Sequence, residues 1–298
     1  MLNVAVSGRD VFDAFKGTLN FVFRRNARLS AGFTIIFCLL LIAVLAPVIA
    51  PYDASTVGLH LLDRPPSFEH LLGTDTLGRD VFDQLIHGLR QSLIIGIFTG
   101  LAGLLVGTTV GIISGYKGGW VDDLLKSVTD VFLVIPTIPL LVVLSAFVRY
   151  MTVPYMVVIL AIFAWPFPAR TFRSLVLSYR KREYINMAKL SGLSDMKIVF
   201  KEVLPNMLPY VSTTLANTIS AAIMAEVFLE LLGLGPQNTI TLGTMVYWAM
   251  ERAALIRGLL WWVFPPMIVI VLIFIGLQLI NIGLDEVFNP RLRRGVTA

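Results

Sequence analysis

Long apolar blocks separated by short polar segments dominate the pattern of this chain. The first block, residues 31–50, would reach roughly 30 Å as a helix at about 1.5 Å per residue, which matches the hydrocarbon core of a bilayer. It is longer than the apolar core of a typical signal peptide, so an uncleaved spanning helix is predicted. The whole pattern predicts an all-α membrane protein with six transmembrane helices, at residues 31–50, 89–116, 127–149, 154–171, 210–234 and 258–284.

Composition agrees with this class, because 56% of the residues are hydrophobic and only 14% are charged. The net charge of +5 does not indicate a nucleic-acid partner, since the basic residues lie beside apolar blocks and form no stripe on a polar domain. The only cysteine, Cys38, lies inside the first block, which excludes an internal disulfide and a cysteine-based zinc site.

Basic flanks predict the orientation. Lys and Arg favour the cytoplasmic side of short flanking segments, and they are concentrated in residues 1–30, 170–202 and 286–298. Both termini are therefore predicted to be cytoplasmic, which requires an even number of spans. This divides the chain into an N-terminal segment (1–30), a first helix (31–50), an external segment (51–87), a five-helix core (88–285) and a cytoplasmic tail (286–298). Within 1–30, apolar residues recur at helical spacing, which favours a helix lying in the lipid headgroup plane over a frayed tail.

Small residues and prolines mark helix contacts. Glycines recur at intervals of three or four through the second block, at Gly96, Gly100, Gly103, Gly107, Gly111 and Gly115. This spacing predicts close helix packing within the subunit, with a dimer contact as the alternative. Pro136, Pro139, Pro166 and Pro168 free backbone carbonyls inside two predicted spans, which is tolerated where helices are buried in protein or line a cavity.

Two carboxylates lie one helical turn apart in the fifth span. A charge at membrane depth is costly unless it faces water or a partner, so Glu226 and Glu230 are candidate pathway or gate residues. The alternative is a carboxylate that is paired or reaches the surface. His60, His70 and His87 match no standard zinc spacing, and no metal site is predicted.

A charged segment between two apolar blocks carries the most specific signal. Residues 183–190 have the composition of a short helix, Gly192 suits a left-handed helix stop, Ser194 can cap a following helix, and Pro205 is expected to interrupt it. Tyr184, Met187, Ala188 and Ser191 share one face and form a small ridge that fits a partner's groove. A basic loop that only sets the topology is the alternative. No catalytic motif for nucleotide, ester or peptide hydrolysis occurs, so any ATP must be bound by another chain.

These residues resemble the permease family of ATP-binding-cassette importers, whose cytoplasmic loop carries a Glu-Ala-Ala, Gly and Leu-Pro signature. The matching positions here are Asn186, Met187, Ala188, Gly192, Ile198, Leu204 and Pro205, although the Glu and first Ala of the signature are replaced. The external stretch 70–80, the end of the fifth span at 226–235 and the tail 289–293 are similar to the C-type permease of dipeptide and oligopeptide importers. Within the external stretch the family motif corresponds to Gly73, Asp75, Gly78, Arg79 and Asp80.

The resemblance implies a multi-pass plasma-membrane subunit that is not itself an enzyme. It implies a homologous second permease, two ATPase subunits that hold ATP and magnesium, and an external solute-binding protein, with membrane lipid around the helices. It also implies that a coupling helix at 184–193, including Leu193, contacts the ATPase. The external segment and the loop 237–257 are expected to be exposed to the binding protein.

Departures from the family pattern affect the substrate. Glu230 occupies a position where the family usually has a small polar residue, and Leu242 occupies one where Trp is usual. Asn281 and Ile282 replace a Gly-Asp pair. Peptide is the expected substrate, and oligosaccharide is the alternative within the same architecture. An ion-gradient-driven secondary transporter and a scaffold protein are less favoured readings, because the spans contain few charges and no inverted repeat is visible.

Overall fold

The computed structural model describes residues 26–50 and 54–288, and all the regular structure there is helical apart from one isolated bridge between Thr74 and Asp80. Of the predicted N-terminal interfacial segment 1–30, residues 1–25 lie outside the described residues, as does the tail motif at 289–293, and α1 already begins within the last residues of that segment. The helices are α1 (Ala27–Ile49), α2 (Val81–Lys117), α3 (Gly119–Val134), α4 (Thr137–Ala146), α5 (Val153–Ala164), α6 (Pro166–Arg180), α7 (Glu183–Leu190), α8 (Asp195–Ile198), α9 (Leu204–Leu231), α10 (Leu242–Glu251) and α11 (Leu260–Phe288).

Five helical stretches of this part are long and apolar enough to cross a membrane: α1, α2, α5 with α6, α8 through α9, and α11. A sixth is reached if α3 and α4 form one broken span. These two helices meet at Ile135 and Pro136 with a bend of 81°. Proline lacks the N–H that would continue the helix, and its ring disfavours a helical conformation at the preceding residue, so the break falls where the sequence places Pro136. The predicted third span is therefore a bent pair.

Helix α2 is the centre of the bundle, and it packs against α1, α5, α6 and α9. Its glycines allow this. A Cβ at Gly103 would lie 2.9 Å from the carbonyl oxygen of Ala164, one at Gly111 2.6 Å from that of Ala169, and one at Gly115 2.8 Å from that of Arg173. The glycine spacing thus produces close helix packing within the subunit, as predicted, because backbone atoms of α5 and α6 occupy the space of the missing side chains.

Several boundaries differ from those expected. Helix α2 begins at Val81, before the predicted residue 89, because Asp80 caps it: Asp80 Oδ1 accepts hydrogen bonds from the N–H groups of Phe82 (2.7 Å) and Asp83 (3.1 Å). The expectation that Pro205 interrupts the helix after Ser194 is wrong. The helical path runs from Asp195 to Leu231, and a π-helical turn at Val199–Val203 widens it just before the proline. The wider turn removes the close carbonyl that a proline ring would strike in a regular α-helix.

The expectation that residues 237–257 form an exposed loop is also wrong in part. This segment contains α10, and the first residues of α10, from Leu242 to Val246, are buried. Thr241 caps this helix: its side chain accepts from the N–H of Thr244, and the Thr244 side chain accepts from the N–H of Thr241. Apolar side chains at 242, 245, 246 and 249 therefore face the bundle. The segment between α9 and α11 therefore folds back onto the protein.

The described chain begins and ends at the same end of the bundle. Asn26 Nδ2 donates to the Gly283 carbonyl at 3.1 Å, and Arg28 forms an ion pair with Glu286. At the opposite end, His87 Nε2 lies 2.8 Å from the carbonyl oxygen of Ala50. Helices α1 and α11 are packed along their length, and Gly32 and Gly276 provide close contacts between them.

Candidate functional site

The short helix α7 ends in the way that Gly192 predicts. Gly192 has φ +75°, its N–H donates to the Lys189 carbonyl at 3.0 Å, and the Leu193 N–H donates to the Ala188 carbonyl at 3.2 Å. These two bonds form a Schellman motif, which needs a residue in the left-handed conformation and therefore favours glycine. The motif stops α7 and turns the chain towards α8.

Helix α7 is anchored to the bundle on one side. Ile185 is fully buried in a cluster with Phe172, Val176 and Ile198 from neighbouring elements. Tyr116, at the end of α2, donates a hydrogen bond from its hydroxyl to Asp195 Oδ1 at 2.9 Å. The turn that carries α7 and α8 is therefore tied to α2, the central helix.

The other side of α7 is open. Met187 and Leu190 are 63% and 83% exposed. Tyr184 and Ala188, which the sequence placed on one ridge with Met187 and Ser191, instead pack partly against the buried cluster, as does Leu193. The free apolar surface is thus formed by Met187 and Leu190, and Leu190 was missed because it lies outside the Tyr184 to Ser191 face.

The motif at residues 70–80 forms a compact hydrogen-bonded loop, here called the Asp75 knot, whose central residue Asp75 is fully buried. Asp75 Oδ1 accepts from the N–H groups of Leu77 (2.8 Å) and Arg79 (2.9 Å). Its Oδ2 accepts from Arg79 Nε (2.7 Å) and from Gln84 Nε2 (3.0 Å). A buried carboxylate with four donors is well satisfied. The motif residues are therefore brought together by the fold, and Gln84 is a member that the motif did not reveal.

Two glycines let the knot close. Gly73 and Gly78 both have φ +70°, a conformation that L side chains rarely adopt. A Cβ at Gly73 would overlap the Arg64 carbonyl oxygen, and one at Gly78 would overlap that of His60. Asp80 then holds His70, whose Nδ1 lies 2.7 Å from Asp80 Oδ2.

The Asp75 knot and the residues before it contact the start of α11 and the loop that precedes α11. Trp261 Nε1 donates to the Thr74 carbonyl at 3.3 Å, and Arg257 pairs with Asp63. Nothing in the spacing of these residues pointed to the contact, because they are far apart in sequence. The segment before α2 thus rests on the junction of α10 and α11.

Glu226 and Glu230 are both fully buried on α9. Glu226 Oε1 accepts from the Ser92 hydroxyl of α2 at 2.7 Å, and Ser92 Oγ in turn accepts from the Leu242 N–H at 3.1 Å. Glu230 lies against the first turn of α10, where a Cβ on Gly243 would overlap its Oε2. The two carboxyl groups therefore lie at the contact of α2, α9 and α10, inside the subunit.

Gly243→Ala is expected to lower the free energy of unfolding in detergent by about 1–3 kcal/mol. The new methyl group would displace Glu230 and would lie 3.0 Å from the Val227 Cα. In a Glu230→Ala background the same change should cost clearly less. A double-mutant cycle of unfolding free energies measures the difference. An equal loss in both backgrounds would mean that the Glu230 carboxyl group does not occupy this space.

A cavity of about 500 Å³ opens between α2, α4, α5, α6 and α9. Its walls are mostly apolar, and the polar side chains that line it are uncharged. The residues are Thr99, Thr137, Leu141, Leu160, Phe163, Ala164, Phe167, Pro168, Asn217, Thr218, Ala221, Ala222 and Ala225. No pattern in the sequence indicated this site beyond the prolines of two spans.

The fold brings His60 and His70 together, with ring centroids 4.4 Å apart, although their spacing in sequence gave no sign of it. Within residues 26–50 and 54–288, no group of three His, Cys, Asp or Glu side chains is placed to hold a metal ion.

Comparisons with known proteins agree with this architecture. The sequence model described as "Binding-protein-dependent transport system inner membrane component" matches residues 107–294, and that of the N-terminal TM domain of oligopeptide transport permease C matches residues 21–66. The oligopeptide transport system permease protein OppC of Bacillus subtilis (strain 168) is 33% identical over 91% of this chain and 88% of its own length. The dipeptide permease DppC of the same organism is 32% identical over 91% and 84%.

The fold has a solved neighbour. A chain of the MetNI methionine ABC transporter in an inward-facing conformation matches with a TM-score of 0.53 and 22% identity, over 67% of this chain and 96% of that one. At this identity the likeness concerns the fold alone. The resemblance drawn from the motifs near residues 183–206 and 70–80 is confirmed by the sequence relatives, as is the prediction of a multi-pass membrane protein. The chain therefore belongs to the family of inner-membrane components of binding-protein-dependent transport systems.

Proposed function

We propose that this chain is the C-type permease subunit of an ATP-driven importer for di- or oligopeptides. The observation that carries the proposal is the similarity to oligopeptide and dipeptide permeases across nine-tenths of the chain. The subunit forms half of a translocation path, and a homologous second permease forms the other half. Two ATPase subunits bind ATP and magnesium, an external solute-binding protein delivers the substrate, and this chain performs no hydrolysis and holds no cofactor.

The proposed orientation places both termini in the cytoplasm. It is supported by the basic flanks and by the contact of Asn26 with Gly283, which puts the two ends of the described chain on one side. With the bent α3–α4 pair counted as one span, six crossings return the chain to the side where it began. The α7 segment is then cytoplasmic, and the Asp75 knot is external.

The proposed coupling element is the segment 184–193. Met187 and Leu190 insert into a groove of an ATPase subunit, while Ile185 and the Tyr116–Asp195 hydrogen bond connect α7 to the bundle. Closure of the ATPases then moves α7, and the motion passes to α2, α6 and α9, with which its anchor cluster is packed. The permease alternates between two packings, and its own task is mechanical.

Glu226 and Glu230 are proposed to act on the outer gate as positioning residues. In this role Glu226, which is bonded to Ser92, and Glu230, which packs against Gly243, set the position of the start of α10 against α2 and α9. Since both side chains are fully buried, this role does not require contact with the substrate.

Purification and reconstitution test the proposal. The tagged chain, isolated from its native membrane in mild detergent, should retain a second permease and ATPase subunits in fixed ratio. Vesicles containing this complex should take up labelled trialanine only when Mg-ATP is on the ATPase side and the binding protein is on the other.

Three outcomes would contradict it. A homo-oligomer that transports with an ion gradient alone would favour a secondary transporter. Uptake of oligosaccharide without uptake of any peptide would retain the architecture and change the substrate. A complex that transports neither, from cells whose uptake does not depend on the chain, would favour a scaffold role.

A further inference from the structure

The cavity between α2, α4, α5, α6 and α9 contains a polar group that the protein does not satisfy. Thr99 is fully buried, lines the cavity, and its Oγ1 has no hydrogen-bond partner among the described residues. A threonine in a helix usually returns its hydroxyl to the carbonyl one turn back. Thr109 does so on the same helix, with Oγ1 2.8 Å from the Leu105 carbonyl oxygen. A buried hydroxyl left unpaired is costly, so Thr99 points to a ligand that supplies a hydrogen bond.

A second polar group lines the same cavity. Asn281 Nδ2 donates to Asn217 Oδ1 at 2.6 Å, so the Asn217 carbonyl is engaged and its amide N–H groups are left to donate. Thr218, which also lines the cavity, is already used, because its hydroxyl is 3.0 Å from the Leu215 carbonyl and 3.3 Å from that of Gly100. Asn281 is therefore a positioning residue for Asn217, and the cavity offers a hydroxyl and an amide donor.

The rest of the lining defines the chemical class. None of the cavity-lining residues carries a charge, and the walls combine small side chains such as Ala221, Ala222 and Ala225 with Phe163 and Phe167. A charged side chain would lose its hydration there without gaining a partner. A sugar ring would bring several hydroxyls to a surface with few free polar groups. An apolar side chain flanked by a peptide group matches both the walls and the two polar positions, and about 500 Å³ is within the usual range of ligand pockets.

We propose that this cavity is a subsite of the translocation path that holds an uncharged side chain of a peptide in transit, while Thr99 and Asn217 bond its peptide group. The inference rests on the proposed function and goes beyond it, since it assigns a substrate preference to the permease itself. It predicts that charge on the central residue of a tripeptide weakens occupancy of the site.

Cysteine protection tests occupancy without relying on transport. Cys38 is the only cysteine, so a Cys38→Ser background carries no thiol, and Ala221→Cys adds one at the cavity wall. In the complete complex, Ala-Leu-Ala should slow labelling of this thiol by a water-soluble maleimide at least threefold, and Ala-Lys-Ala should not. Phe68→Cys, in the segment before α2 and away from the cavity, should label at a rate that neither peptide changes. No labelling at position 221, or equal protection by both peptides, would overturn the proposal.

Thr99→Val removes the hydroxyl and keeps the shape of the side chain. Uptake of Ala-Leu-Ala by the reconstituted complex should fall about fivefold to tenfold, as expected for one lost hydrogen bond. The melting temperature should not fall, because the hydroxyl bonds nothing in the free protein. Thr109→Val is the matched control and should leave uptake unchanged. Uptake by Thr99→Val equal to that of the wild type would reject the subsite, whereas absence of any peptide uptake by the wild type would reject the proposed function instead.

Discussion

Gly107→Val will prevent α2 from packing against α6, and the variant will lose most of its folded population in detergent. A Cβ at Gly107 would lie 2.6 Å from the Trp165 carbonyl oxygen and 2.9 Å from the Ala169 backbone nitrogen. These are backbone atoms, so no side-chain rotation relieves the clash. Overpacking a well-packed core with a few methylenes typically costs about 1–3 kcal/mol, and separating two helices at the centre of the bundle costs more. Monodispersity and thermal unfolding of the purified protein measure the effect.

The control for Gly107→Val is Val106→Leu, which adds a methylene to the neighbouring residue on an exposed face of the same helix. This variant should keep the wild-type elution profile and unfolding temperature. If Gly107→Val were as stable as the wild type, α2 and α6 would have to lie farther apart than in the described packing. The glycines of α2 would then not explain the close contact between these helices.

Met187→Asp will uncouple ATP hydrolysis from uptake, while the spans still insert in the membrane. The Met187 side chain is largely exposed on the free subunit, so the substitution leaves the bundle core unchanged. In the proposed groove, a carboxylate would be buried without a partner, which costs several kcal/mol, and each 1.4 kcal/mol lowers the affinity of the contact tenfold. Uptake per ATP hydrolysed in vesicles should fall at least about tenfold. Ser194→Asp adds the same charge at a helix N-cap, where Asp is favourable, and should have little effect.

Gly192 provides an independent test of the same element. The space around a Cβ at Gly192 is empty, so a side chain there acts only through the left-handed backbone. Gly192→Val should release the Schellman motif, shift Met187 and Leu190, and uncouple uptake, since a branched residue is strained at φ +75°. Gly192→Asn should retain most uptake, because Asn tolerates this conformation. Unchanged uptake in both Met187→Asp and Gly192→Val would reject the coupling assignment.

The end of α7 shows what local sequence predicts well. A left-handed glycine stop depends on φ at one residue and on hydrogen bonds within a few positions, so Gly192 could be assigned from its neighbours alone. The same holds for the spans, whose apolar length is a property of a contiguous stretch. It holds less well for α3 and α4: Pro136 marks the position of the break, but the angle of 81° depends on how the neighbouring helices pack.

The carboxylates show where such reasoning stops. Their spacing placed Glu226 and Glu230 on one turn of α9, and their cost at membrane depth indicated a partner. Glu226 accepts a hydrogen bond from Ser92, which lies far away in sequence. Glu230 lies against the first turn of α10, which follows closely in sequence, and its carboxyl oxygens have no hydrogen-bond partner among the described residues. Segment 237–257 appeared as an exposed loop because its polar flanks mask the apolar face of α10. Only the packing of that face against the bundle reveals that the carboxyl groups are enclosed.

By itself, the sequence determined the class of the protein, the approximate spans, their basic flanks and the family motifs, since each of these is a property of composition or of short-range spacing. The tertiary structure decided which face of α7 is free, how the Asp75 knot is tied to Trp261, and that Thr99, Asn217 and the alanines of α9 line one cavity. These features depend on which helices meet and at what angle. Side chains that are far apart in the chain become neighbours only through that packing, and no periodicity within a single segment records it.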